Sequence, residues 1–249
     1  MADAQDLGSC TERCRGSTPL SCIQGKWSDT SASNKLACWY NLRMASVVKG
    51  EFASRVREIS MFFDGTDAVH RTMERVAAAF NAAGVPYAIV GGMAVNAHRH
   101  RRTTKDVDFL VTIAGWTALR EMVTAGQFTA IPGRSRRFID PSTNISFDIL
   151  VSGGFPGSGE AGPIAYPDPA QVSQLIDDLR VVDLPTLIQL KLAAARYQDF
   201  ADVVNLIREN QLDESFETRL HASIREDFFE CLAEMRREDE YERRRDRNG

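Results

Sequence analysis

Two short segments constrain this chain most: Val107-Asp108-Phe109-Leu110-Val111 and Phe147-Asp148-Ile149-Leu150-Val151. Each is an apolar run interrupted by one aspartate, with a leucine two residues after it. Runs of this length and composition read as strands with a buried face. Successive side chains of a strand point to opposite faces. Val107 and Phe109 therefore face a core, and Asp108 faces away from it. Asp106 and Asp108 are two apart in this strand, so alternation points both to the same face. If the two strands are neighbours in one sheet, Asp148 joins them. Like charges held that close are costly unless a cation neutralises them or one carboxyl takes a proton. Three convergent carboxylates with no nearby histidine suit a hard ion, Mg²⁺ or Mn²⁺. Two such ions can orient and neutralise phosphates in an in-line displacement.

The residues upstream fit the same chemistry. Tyr87 to Val90 is a short apolar run fit for a buried strand, and Gly91-Gly92 ends it. Met93 to His98 reads as the first turns of a helix. Free backbone N–H groups and the positive helix end would then face outward, an arrangement that binds phosphate. Without a side chain at either glycine, phosphate can approach the backbone closely. A Gly-Gly pair alone is equally a tight strand–helix turn. Joined to the Asp106-Val107-Asp108 pair thirteen residues later and to Asp148 it becomes specific.

This pattern resembles the nucleotidyltransferase fold shared with DNA polymerase β. The run Arg102-Thr103-Thr104-Lys105-Asp106-Val107-Asp108 is similar to the minimal nucleotidyltransferases, above all the AbiEii-type toxin branch. The resemblance spans roughly Met61 to Leu212. It implies transfer of a nucleoside monophosphate from an NTP such as ATP to an acceptor hydroxyl, with Mg²⁺ or Mn²⁺ as cofactor. By it Asp106, Asp108 and Asp148 are the metal ligands, and Asp148 also assists deprotonation of the acceptor. Gly91, Gly92, Arg102 and Thr104 would contact the nucleotide. Many relatives carry Gly-Ser at the turn, where the serine contacts the triphosphate; Gly92 replaces it here.

A second charged group lies on the segment after Pro185, read as one helix running to about Glu209. With about 100° per residue, Asp202 lies about 20° from Lys191 and Asp199 about 80°. The segment resembles the family's K-x4-R-x2-D-x2-D element, which implies that Lys191 contacts phosphate and that Asp199 and Asp202 orient Lys191 and Arg196, or the acceptor. The alternative is an ion-pair network that fixes the helix to the sheet. Arg99, Arg101, Arg102 and Lys105 place dense positive charge beside the proposed phosphate site, for triphosphate or an RNA acceptor. A solvated loop is the bland reading of the same residues. His98 and His100 read as loop residues and not as metal ligands. Walker, G-x-G-x-x-G and G-x-S-x-G motifs are absent.

Composition sets the outer limits. The chain has 249 residues, a formal charge of −4 and 43% hydrophobic residues, which allow an ample core. No apolar run approaches the roughly 18 residues of a membrane span. The first residues lack a basic stretch, which argues against a secretory signal. A soluble, cytoplasmic protein is expected. Cys10, Cys14, Cys22 and Cys38 lie in a Ser/Thr/Gly/Asn-rich segment with no sustained periodicity. They read as part of an unstructured extension more readily than as a metal or redox module. Met44 and Met61 offer alternative translation starts.

Elsewhere the periodicity predicts a helix carrying Val69, Met73, Val76 and Phe80, and a helix over Trp116–Thr124. It also predicts a hairpin of 136–140 and 144–151 around Pro141-Ser142-Thr143, a strand at 179–182, and a last helix capped by Asp213 with Phe216, Leu220, Ile224, Phe228 and Leu232 on one stripe. The expected organisation is an extension over 1–60, a nucleotidyltransferase domain over 61–212, and a C-terminal helix and charged tail over 213–249. The expected fold class is α/β (α+β): a small mixed sheet flanked by helices, with a helical C-terminal portion. The acceptor stays open between RNA, typically tRNA, a protein hydroxyl as in a toxin with a cognate antitoxin, and a small molecule such as an antibiotic. A non-catalytic nucleotide- or nucleic-acid-binding protein of the same fold is the competing class.

Overall fold

The computed structural model describes residues 52–248. The four clustered cysteines and the expected loop over 1–43 lie outside the described residues. The chain divides into a unit Met1–Val56 and a unit beginning at Arg57, and the second holds every element described below from Ala68 onward. A helix α1 covers residues 52–63, so helical structure begins before the expected boundary at 60/61.

The elements after α1 are α2 (Ala68–Ala82), β1 (Tyr87–Val90), α3 (Gly91–Ala97), β2 (Val107–Val111) and α4 (Ile113–Thr124). Next come β3 (Thr129–Ile131), β4 (Arg134–Asp140), β5 (Ile145–Val151) and the short α5 (Pro169–Val172). The chain continues with β6 (Ser173–Ile176), β7 (Leu179–Val182), α6 (Leu184–Ala194), α7 (Tyr197–Glu209), two 3₁₀ segments (Glu214–Arg219 and Ala222–Ile224) and α8 (Arg225–Asn248). The strands form one seven-stranded mixed sheet in the order β3-β4-β5-β2-β1-β7-β6. The β1/β7 and β2/β5 pairs are parallel and the other four antiparallel. The small β3 and β6 strands have no counterpart in the sequence reading: β3 is three residues long and exposed, so no apolar pattern marks it.

Burial follows the alternation. Phe109 and Phe147, on β2 and β5, are fully buried and stack edge to face. Phe80 of α2 packs edge-on against Phe109, and Tyr87 of β1 lies against both. Trp116 of α4 meets Phe138 of β4 on the same face. Buried aromatics of this kind each contribute about 3–5 kcal/mol on truncation to alanine. Asp67 caps α2 by accepting from the Val69 and His70 amides, as the residue type favours. The predicted β4–β5 hairpin is present, with Asp140 accepting from the Ser142 amide at 2.9 Å inside the turn.

Two expectations are corrected. The segment after Pro185 is not one helix: Ala195 adopts φ +53°, a left-handed conformation that ends α6, and α7 starts afresh at Tyr197. No glycine or proline marks this break, so the charge periodicity ran straight through it. Asp213 caps a 3₁₀ turn instead of the last helix, which starts at Arg225. Phe216, Leu220, Ile224, Phe228 and Leu232 are nonetheless all buried in the common core. Among the described residues no helix is long and apolar enough to cross a membrane.

Candidate active site

The parallel pairing of β2 with β5 places Asp108 directly opposite Asp148. The phase match between the two segments is thus a true register, and both carboxylates leave the face opposite Phe109 and Phe147. Asp106 stands one residue before β2 instead of inside it. It is held there by Thr104, whose Oγ1 lies 3.2 Å from Asp106 Oδ1 and 3.3 Å from its carbonyl oxygen. All three carboxylates are half-buried.

Asp108 is the most constrained. Burial, then the charges of Asp106 and Asp148, push its carboxyl up to about 7. Its side chain lies beneath the glycine turn: a Cβ on Gly91 would fall 1.9 Å from Asp108 Oδ2. Gly91 also has φ +63°, a region that disfavours any side chain. Gly92 is crowded from the other side, where a Cβ would meet Thr104 Cβ and Oγ1 at 2.9 Å and Arg102 Nη1 at 3.3 Å. The hydroxyl of Thr104 therefore occupies the space that a serine side chain at position 92 would need. Asn96 of α3 ties this loop down, donating to the carbonyls of Gly92 (3.0 Å) and Arg102 (2.7 Å) and accepting from the Arg102 amide at 3.0 Å.

Arg137 was not anticipated from the sequence. It sits on β4 opposite Asp148. Its Nε donates to Asp148 Oδ1 at 2.8 Å, and its Nη2 to Asp148 Oδ2 at 2.5 Å and Asp106 Oδ2 at 3.2 Å. These bonds, the Asp148 one foremost, raise its already high affinity for a proton. The signal was available in the hairpin: once the turn after Asp140 sets the register, Arg137 must face Asp148.

The second charged group is closed. Lys191 is 5% exposed, and its Nζ lies 3.0 Å from Asp199 Oδ1 and 2.6 Å from Asp202 Oδ2. Asp202 is also met by Arg102, with Nη2 donating to Oδ2 at 2.9 Å and Nε 2.7 Å from Oδ1. Burial works to raise the Asp202 carboxyl, but Lys191 and then Arg102 outweigh it and hold it below its ordinary value. Arg196 pairs with Asp199 at 2.6 Å while remaining largely exposed. The three residues expected on one helix face therefore do meet, brought together by the packing of α6 against α7. The ammonium of Lys191 is committed inside this network, and Arg102 and Arg196 form its outward ends. Tyr166, from the loop after β5, approaches the same region: burial, then the negative charge of Asp108, raises its hydroxyl.

The remaining basic residues spread out. Arg101 stacks on the Phe63 ring at 4.8 Å, and Arg99 and Lys105 are exposed. His98 is buried with Nε2 2.7 Å from the Val182 carbonyl oxygen, which gives it a structural role. Among the described residues no group of three or more Asp, Glu, His or Cys side chains is gathered as a metal-binding cluster. The donor set nevertheless fits a divalent cation. It is all oxygen, two of its members are in direct register, and the third is coupled to them by charge. A guanidinium already stands as the stand-in cation between Asp148 and Asp106.

No family model matches the chain, and no curated protein matches it. Among solved structures it is similar to ANT(2″)-Ia in complex with adenylyl-2″-tobramycin, at 14% identity and a TM-score of 0.43, over 65% of this chain and 97% of that one. It is similar to the lincosamide antibiotic adenylyltransferase LnuA with lincomycin bound, at 15% identity and a TM-score of 0.37, over 51% of this chain and 89% of that one. A third is the c-UMP-AMP synthase CdnE of Rhodothermus marinus, at 14% identity and a TM-score of 0.28, over 59% of this chain and 62% of that one.

Proposed function

We propose that the chain is a metal-dependent nucleotidyltransferase that moves a nucleoside monophosphate from an NTP to an acceptor hydroxyl. The observation that carries this reading is the register of Asp108 with Asp148, with Asp106 beside them and the Gly91-Gly92 turn directly above Asp108. Asp106, Asp108 and Asp148 would hold Mg²⁺ or Mn²⁺, which supplies neutralisation of the phosphate charge and polarisation of the α-phosphoryl group.

The chain's own residues supply binding, orientation and proton transfer. The triphosphate lies against the Gly91-Gly92 turn, where no side chain stands between it and the backbone. The Thr104 hydroxyl takes the contact that a serine at 92 would have made. Arg102 and Arg196 reach the phosphates, each held at a set angle by a buried carboxylate, Asp202 and Asp199. Lys191 acts behind them, fixing both aspartates, and does not itself touch phosphate. The acceptor oxygen attacks the α-phosphorus, the bond from that phosphorus to the bridging oxygen breaks, and pyrophosphate leaves. An oxygen of Asp148 takes the acceptor's proton. Charge stabilisation aimed at a transferring phosphoryl group is the largest catalytic contribution expected here.

The acceptor we favour is a macromolecular hydroxyl, on RNA or on a protein, with a toxin of a toxin–antitoxin pair as the setting. Two cavities, of about 340 Å³ beside Pro86 and Arg180 and about 670 Å³ beside Trp116 and Arg134, lie away from the carboxylates. Asp106, Asp108 and Asp148 each keep part of their surface exposed, so the hydroxyl of a large acceptor can reach them. The test is to incubate the full chain with each α-labelled NTP, Mg²⁺ and total cell extract, and to follow label into RNA, protein and small molecules. Asp148→Ala should lower transfer by about 10³-fold or more with the fold intact. Full activity in that variant, or NTP binding with no transfer to any acceptor class, overturns the proposal. The second result would favour a non-catalytic binding protein.

A further inference from the structure

We propose that Arg137 is the built-in counter-cation of the carboxylate face: its guanidinium holds Asp148 and Asp106 together until a divalent ion displaces it, so metal loading and the outward swing of Arg137 are one event. The inference rests on the proposed metal-dependent function and concerns a residue to which that function assigns no role.

The geometry carries it. Arg137 grips Asp148 as a two-pronged fork, Nε on Oδ1 and Nη2 on Oδ2, and the same Nη2 reaches across to Asp106 at 3.2 Å. A planar guanidinium matches a carboxylate in this way and occupies the lone pairs in its plane, the ones a small divalent ion also uses. The fork and the ion therefore compete for the same oxygens, and two positive groups on one carboxylate pair repel each other. The charges facing Arg137 are Asp106, Asp108 and Asp148. No other cation among the described residues pairs with Asp106 or Asp148. With the guanidinium gone and no ion bound, Asp106 and Asp148 would lose their paired cation, and only the more distant charges of Lys191 and Arg196 would act on Asp108.

The side chain also has room to leave. It is 38% exposed, against 23% for Asp148 and 33% for Asp106. The contrast with Lys191 is instructive. That ammonium bridges two aspartates in the same way but is 5% exposed and enclosed by Arg102, Gln198 and Arg196 around its partners. Lys191 is built to stay, and Arg137 is built to exchange. Once displaced, the guanidinium remains on the same face as a positive group beside the incoming triphosphate.

The test measures metal binding directly on the full chain, by the loss of the free Mn²⁺ electron paramagnetic resonance signal, for the native protein, Arg137→Met and Arg137→Lys. Neither variant can form the fork. Both are expected to bind Mn²⁺ about tenfold more tightly than the native chain, the order of one charge-assisted bond. In chelator, Arg137→Met should unfold at a lower temperature than the native protein, and Mn²⁺ should raise its midpoint by more. A methionine variant with tighter binding beside a lysine variant with native affinity means that only through-space charge is at work, and overturns the proposal. Unchanged or weaker binding in both overturns it too, because Arg137 is then a brace that stays in the loaded site. If Arg137→Met does not fold, the lysine variant decides alone. If none of the three binds Mn²⁺, this inference and the metal-dependent reading fall together, whereas equal binding by all three removes only this one.

Discussion

Two charged clusters stand side by side in this molecule and differ in kind. Around Lys191, two aspartates of 2% and 0% exposure are met by three cations, and each buried oxygen finds a donor. Around Arg137, three half-buried carboxylates share one half-exposed guanidinium, and Asp108 is left so poorly compensated that its carboxyl rises to about 7. The first cluster is a closed network that locks α6 to α7 and aims Arg102 and Arg196. The second is an excess of negative charge held open on a sheet face. On the proposed function, burial and saturation separate charges that support a site from charges that act in it, even where the residue types are the same.

The largest expected effect that bears on this contrast is at Lys191. Lys191→Met leaves Asp199 and Asp202 buried with fewer partners and should destabilise the protein by about 3 kcal/mol or more, read by urea unfolding. A variant of native stability that had lost its affinity for NTP would place Lys191 among the working charges and erase the distinction.

An effect of opposite sign is expected at Asp108. Its folded carboxyl titrates near 7, above its ordinary value, so its contribution to stability is fully present in acid and is lost as pH rises through 7. In the presence of chelator, Asp108→Asn should therefore be more stable than the native chain at about pH 8, by about 2 kcal/mol once the shift is discounted by half for the part-exposed setting of the carboxylate, and no more stable at about pH 4. Equal stabilities across that range would mean that the carboxylate face is as well compensated as the Lys191 cluster.

The smallest effect tests the break between α6 and α7, across which the Lys191 cluster is assembled. Ala195 ends α6 in the left-handed region, where a Cβ is disfavoured. Ala195→Gly should leave thermal stability unchanged or raise it by less than about 1 kcal/mol. A clear loss would show that the side chain at 195 makes a contact that the break depends on.

What the sequence disclosed and what it concealed follow from the range of the interactions. The juxtaposition of Asp108 with Asp148 was legible because strand alternation is local and two apolar runs carried the same phase, whereas Asp106, which precedes β2, could not be placed by alternation. The glycine turn was legible because it sits between a strand and a helix start. The break at Ala195 was not, because its cause is tertiary: the chain turns left-handed at an alanine with no local signal. Arg137 was missed although the hairpin was predicted, because its significance lies across the two strands, in the register with Asp148, and not in its own local pattern. Thr104 and Arg102 were found as candidates. The sequence could not reveal that they crowd Gly92, since that closeness arises when Asn96 folds the loop back onto α3.

The contact between Gly91 and Asp108 has an implication for how such a chain can change. A side chain at position 91 collides with the carboxylate of residue 108 before it meets anything else. The two positions, seventeen residues apart in sequence, are therefore coupled in one direction: a side chain at 91 requires the carboxylate at 108 to move aside or be lost, whereas loss of the acid leaves glycine still favoured by its φ of +63°. The expected trace in related sequences is asymmetric: the acid can be lost with the glycine kept, but not the glycine replaced with the acid left in place.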